Sequence, residues 1–173
     1  ALRPGDLALH TTDCLVEGVH FRRSNRKTFD IGWKSVAVNL SDIAAMGGRP
    51  TGFLLTLIIP DRAHLTPALS NVERVTRGSQ FVYGRGRERD LLDLARGAVA
   101  CGKKYGAQLI GGNVSSTKGD ALIIDISMIG AARKSRVLTR AGAHPGDVIY
   151  VTGFPGQSAA GLAILETQNS AAV

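Results

Sequence analysis

Apolar and small residues mix with polar ones over Asp6–Leu15, directly after the turn pair Pro4-Gly5. That pattern predicts a strand running into a loop. From Ile31 to Met46 the apolar positions follow a helical period; Thr28 or Asp30 is placed to cap the start, and Gly47-Gly48 stops it. Thr51–Ile59 reads as a buried strand ended by Pro60. Residues 63–89 carry Arg74, Arg77, Arg85, Arg87 and Arg89 with few apolar anchors, and are expected to be mostly loop, a surface insertion. A helix follows over Asp90–Tyr105, then a short strand Ala107–Ile110 entering Gly111-Gly112, and a strand over Ala121–Ala131. Ala143–Asp147 is a turn, Val148–Thr152 a strand, Gly153–Gly156 a glycine turn and Gln157–Glu166 a helix. Strands alternating with helices predict a mixed α/β (α+β) fold, with its best domain boundary near Pro145-Gly146.

Composition narrows the partners. The chain has 173 residues, 44% of them hydrophobic, enough for one domain or one domain plus part of a second. The formal charge of +7 attracts anions without choosing among nucleic acid, acidic membranes and phosphorylated small molecules. Aromatics are only 5%, which argues against a base-stacking surface. Cys14 and Cys101 form no CxxC pair, so a disulfide scaffold or a cysteine zinc site is not expected. The longest apolar run, Gly52–Ile59, is far short of the roughly 18–20 residues that span a bilayer. With no signal peptide, the sequence reads as cytoplasmic, and its two ends read as those of a piece of a longer protein.

Several segments carry candidate chemistry. Thr11-Thr12-Asp13, at the end of a strand, offers hard oxygens suited to Mg²⁺, although a capped turn explains it equally well. The helix Ile31–Met46 is mostly apolar but bears Ser35, Asn39 and Asp42 along one face. A carboxylate there either meets water or is paired, since burying it alone is costly. His20 closes the segment EGVH and fits a structural or a binding role; Glu17 is a partner for it or a surface charge. Gly111-Gly112-Asn113 and Gly153-Phe154-Pro155-Gly156 each fit a tight turn or an approach of backbone N–H groups to phosphate. No Gly-Lys-Ser/Thr follows either, so neither is a P-loop. Arg140 closes a basic cluster with Arg133, Lys134 and Arg136, and its planar fork suits phosphate oxygens.

Taken in order, TTDCLVEGVHF, IGWKSVAVNLSDIAAMGGRP, YGAQLIGGN and LTRAGAHPGDVIYVTGFPGQSAAGLAIL resemble the thiamine-monophosphate kinases. Their superfamily includes aminoimidazole ribonucleotide synthetase, selenophosphate synthetase and a hydrogenase-maturation protein. The resemblance implies a mixed sheet with flanking helices, forming an N-terminal ATP- and Mg²⁺-binding and dimerisation domain over residues 1–143. Residues 144–173 would begin a truncated second α/β domain. It implies transfer of the ATP γ-phosphate to thiamine monophosphate with several Mg²⁺ ions, in a homodimer, without nucleic acid or membrane. Thr11, Thr12, Asp13, Asp42 and Asn113 would be metal ligands; Gly112, Asn113 and Arg140 would contact ATP; His20 would sit at the thiamine-phosphate site. No general base is implied, because the attacking group is already a phosphate oxygen. The family usually has Asp where this chain has Asn113, and an amide ligates Mg²⁺ only through a neutral carbonyl. The family's Gly-Asp-Asp motif upstream of the first strand is absent from this chain, and the resemblance then implies that the 173 residues would hold an incomplete active site. Rival readings are another ATP-dependent enzyme of the superfamily, selenophosphate synthetase-like or aminoimidazole ribonucleotide synthetase-like, and a non-catalytic module binding anions or nucleic acid.

Overall fold

The structure is a computed structural model that describes residues 2–24, 26–60 and 87–170. Most of the basic stretch 63–89 lies outside the described residues. The chain divides into two compact units, Ala1–Leu138 and Thr139–Val173. The first contains β1 (Asp6–Val16), α1 (Thr28–Ala45), β2 (Arg49–Pro60), α2 (Arg87–Tyr105), β3 (Gln108–Thr117) and β4 (Ile123–Arg133). These strands form one sheet in the order β1-β4-β2-β3. The β1/β4 and β4/β2 pairs are antiparallel, and β2/β3 is parallel. A parallel pair requires a crossover, and α2 lies in the one that joins β2 to β3.

Strand alternation sends one set of side chains to each sheet face. Leu9 and Leu15 of β1, Phe53, Leu55 and Leu57 of β2, and Ile124, Ile126 and Met128 of β4 are buried on the face that α1 and α2 cover. Positions 8, 10, 12 and 14 of β1 lie on the opposite face and are exposed. The fold is therefore two layers, helices on one face of a mixed sheet. α1 and α2 pack against each other closely enough that a Cβ at Gly32 would run into the Leu94 carbonyl, and one at Gly97 into that of Phe29.

Several sequence expectations need correction. α1 starts at Thr28, its N-cap is Lys27, and no side chain caps it; Asp30 instead lies in the first turn, where a negative charge meets the positive end of the helix dipole. The expected stop holds: Gly47 has φ +68°, and the N–H groups of Gly47 and Gly48 bond to the Ala44 and Ile43 carbonyls. β3 does not end at Ile110 but runs through both glycines to Thr117, because β2 offers a pairing edge along that whole length.

In the second unit, α3 spans Gln157–Ser170. The turn at Pro145-Gly146 is closed by the His144 N–H donating to the Asp147 carboxylate at 2.8 Å. Val148–Thr152 is not a strand: it has no pairing partner among the described residues, and Val148 to Val151 are 67–91% exposed. An apolar β-type sequence becomes a strand only where another strand completes its hydrogen bonds.

Candidate functional site

The tripeptide Thr11-Thr12-Asp13 lies inside β1 rather than at its end, so alternation divides it. Thr11 and Asp13 share the helix-covered face with Leu9 and Leu15; Thr12 is on the open face. Along α1, Ser35 and Asn39 are fully buried, whereas Asp42, one turn on, is exposed. The polar line of that helix is thus half core and half site. The Ser35 hydroxyl donates to the Gly32 carbonyl at 2.8 Å and the Asn39 amide to the Ser35 carbonyl at 3.1 Å, local bonds that satisfy buried donors.

β1 and α1 meet where the Thr11 hydroxyl donates to Asp42 Oδ2 at 2.7 Å. Burial pushes the Asp13 carboxyl above its ordinary value; the charges of Asp42 and Asp125 push the same way, and His20 pulls against them. Asp13 and Asp42 therefore concentrate negative potential at the β1–α1 contact, and Asp125 adds to it from the opposite face of the sheet. His20 sits in the loop that follows. Its Nδ1 accepts from the Val16 N–H at 3.0 Å, and its carbonyl accepts from Lys34 Nζ at 2.6 Å. With Nδ1 engaged as an acceptor, the neutral ring carries its proton on Nε2. Glu17 is structural: it accepts from Arg23 Nε at 2.7 Å and from the Leu122 N–H at 3.2 Å, pinning the loop that carries His20.

The structure brings together Thr11, Asp13 and Asp42, with His20 close enough to act on Asp13. Thr12 and Asn113 belong to the other face of the sheet. Thr12 pairs with Ser127, and Asn113 pairs with Thr56, which in turn pairs with Asp125. Gly112 lies against β2 so closely that a Cβ would meet the Leu55 carbonyl. Arg140 is exposed in the second unit. Asp125 carried no sequence signal; the register of β4 would have revealed it, since it faces away from Ile124 and Ile126.

Mg²⁺ fits this donor set. Among the described residues no three His, Cys, Asp or Glu side chains converge to enclose a metal. Mg²⁺ does not require that, because it keeps several waters and takes one or two carboxylates plus substrate phosphates. Asp42, Thr11 and Asp13 are hard oxygen donors, and their excess negative potential is what a divalent cation would relieve. One test needs no substrate. The raised Asp13 carboxyl favours the fold while protonated and loses that contribution as pH rises through its folded value. In EDTA at neutral pH, Asp13→Asn is expected to raise the Tm. The gain should close as pH falls through the carboxylate range, where wild-type Asp13 is neutral too. Mg²⁺ should also shrink the gain. Thermal unfolding at each pH, with and without Mg²⁺, reads all three.

The fold and the site together define a two-layer α/β domain with an oxygen-rich, cation-ready cluster at the β1–α1 contact. Residues 1–132 match the family described as AIR synthase related protein, N-terminal domain, and the chain belongs to that family. It is 35% identical over 153 residues to thiamine-monophosphate kinase of Bacillus subtilis, covering 88% of this chain and 40% of that protein. The crystal structure of thiamine monophosphate kinase from Aquifex aeolicus matches with a TM-score of 0.73 and 30% identity, over 93% of this chain and 46% of that one. A structure of AaThiL complexed with AMPPCP and TMP matches with a TM-score of 0.73 and 32% identity, over 97% and 45% of the two chains. The resemblance read from the sequence to thiamine-monophosphate kinases is thus borne out, as is the mixed α+β fold. The chain spans about 40% of the length of the curated relatives it matches.

Proposed function

We propose that this chain supplies the N-terminal, Mg²⁺- and ATP-binding half of an enzyme that phosphorylates thiamine monophosphate. The observation that carries this reading is the Thr11–Asp42 contact beside Asp13, an anionic oxygen cluster on a fold shared with AaThiL, a protein solved with AMPPCP and TMP. In the reaction, a phosphate oxygen of thiamine monophosphate attacks the γ-phosphorus of ATP. The bond from that phosphorus to the β–γ bridging oxygen breaks, giving thiamine diphosphate and ADP. Both partners are anions, so neutralising charge and holding them in line supply most of the catalysis. Bound Mg²⁺ would screen the phosphates and polarise their oxygens.

The residues of this chain then have distinct tasks. Asp42 and Asp13 hold the cation, and Thr11 fixes the Asp42 carboxylate through its 2.7 Å hydrogen bond. The glycine pair brings the β3 backbone past the phosphates, with Asn113 beside them. His20, locked by its Nδ1 bond, turns an Nε2–H donor toward the thiamine phosphate. Arg140 contacts ATP. On this reading the parent enzyme is a cytoplasmic homodimer joined through this domain.

Thiamine diphosphate formation tests the reading. The full-length parent is expected to convert thiamine monophosphate and ATP to thiamine diphosphate and ADP, with activity lost in EDTA. The 173-residue chain alone should show at most a trace. A parent that hydrolyses ATP without consuming thiamine monophosphate would overturn the assignment of the acceptor.

A further inference from the structure

The open face of the sheet holds a carboxylate that the β1–α1 cluster does not explain. β4 lies inside the sheet, between β1 and β2. Ile124, Ile126 and Met128 point into the core and are fully buried, so Asp125 and Ser127 point to the opposite face. Asp125 is half-buried near the start of that interior strand. No lysine, arginine or histidine forms an ion pair with it among the described residues. Its hydrogen bond from the Thr12 hydroxyl is long, 3.4 Å. A carboxylate partly withdrawn from water without a cation beside it is unfavourable.

Apart from the Cys14 thiol, its neighbours on this face are oxygen donors suited to a hard cation. Cross-strand partners share a face. The register places Cys14, Asp125, Thr56 and Asn113 in one row across the four strands. Thr12 and Ser127 form the adjoining pair, with their hydroxyls 3.4 Å apart. Asn113 and Asp125 stand two strands apart, about 10 Å between backbones at the usual strand spacing. Two side chains reaching toward each other across Thr56 can share a hydrated ion over that span. Asn113 contributes a carbonyl but no charge, so Asp125 is the charged member of the row.

We propose that Asp125 is a cation-holding residue of this sheet face, supplying the negative charge for a Mg²⁺ ion that Asn113 and the Thr12 hydroxyl help to position; this rests on the Mg²⁺–ATP reading of the domain. The test uses Mn²⁺ as a paramagnetic probe, titrated into the 173-residue chain with AMPPCP present, free Mn²⁺ being read by electron paramagnetic resonance. Asp125→Asn is expected to weaken Mn²⁺ binding by about tenfold or more. Adding Asn113→Asp to that variant should recover most of the loss by returning a carboxylate to the row. Asp125→Thr, a strand-compatible change, serves the same purpose should Asp125→Asn fail to fold. Wild-type affinity in the Asp125 variants, or a loss that Asn113→Asp leaves unrecovered, overturns the proposal. If Asp42→Asn alone weakens Mn²⁺ in that case, the Mg²⁺–ATP reading stands. A folded wild-type chain that takes up no Mn²⁺ overturns both.

Discussion

Replacing Gly97 with valine is expected to destabilise the first unit by at least about 3 kcal/mol, in the range of severe overpacking, and to leave little folded protein. The obstacle is backbone rather than side chain. A Cβ at position 97 would enter the Phe29 carbonyl of α1, and the reciprocal contact sets Gly32 against the Leu94 carbonyl of α2. Neither carbonyl can rotate aside without breaking its helix, so the helices must separate. Separation uncovers Ile31, Val36 and Leu94, all buried at this interface. It would also carry α1, and with it Asp42, away from Thr11. Gly161→Ala in α3 is the control: nothing lies within 4 Å of that Cβ, and removing a helical glycine gains roughly 0.5–1 kcal/mol. Urea unfolding followed by circular dichroism measures both. A Gly97→Val chain within about 1 kcal/mol of wild type would mean that the helices do not pack this closely.

Asp42→Asn is expected to weaken Mg²⁺-dependent binding of an ATP analogue by about 100-fold, the upper end of what disturbing a metal site costs. The change keeps shape and removes one charge. The Thr11 hydroxyl still finds an amide oxygen to bond, so the β1–α1 contact survives. Thr11→Val removes the positioning bond together with one neutral oxygen donor, leaves both carboxylates, and should cost about tenfold. Asp42 is exposed, and valine at the half-buried position 11 suits a strand, so neither substitution should lower the Tm appreciably. Binding titrations beside thermal unfolding separate lost affinity from lost fold. Equal affinity for Asp42→Asn and wild type would remove Asp42 from the metal site.

The sequence made the layers legible where a long pattern repeats. The helical period over Ile31–Met46 and the apolar run ended by Pro60 identified α1 and β2 to within three residues at each end, because packing on one face imposes that spacing. Pairing was not legible. Glycine at 111 and 112 fitted a tight turn or a phosphate-approaching strand end, yet an available β2 edge draws both into the middle of β3. Val148–Thr152 looked like a strand, yet has no partner among the described residues. The candidate site shows the same division. Asp42 and Thr11 were found from residue type and meet in the fold. Thr12 and Asn113 were grouped with them, but strand alternation and register place both on the other face, beside Asp125. Residue type announces a donor; only register says which donors share a cation.

The most direct test of the account is a calorimetric titration of AMPPCP into the folded 173-residue chain, once with Mg²⁺ and once with EDTA. The account predicts saturable binding in Mg²⁺ that disappears in EDTA, since the nucleotide and the Asp13–Asp42 cluster are both anionic and need the cation between them. Binding of equal strength in EDTA, carried by the basic residues alone, would contradict it.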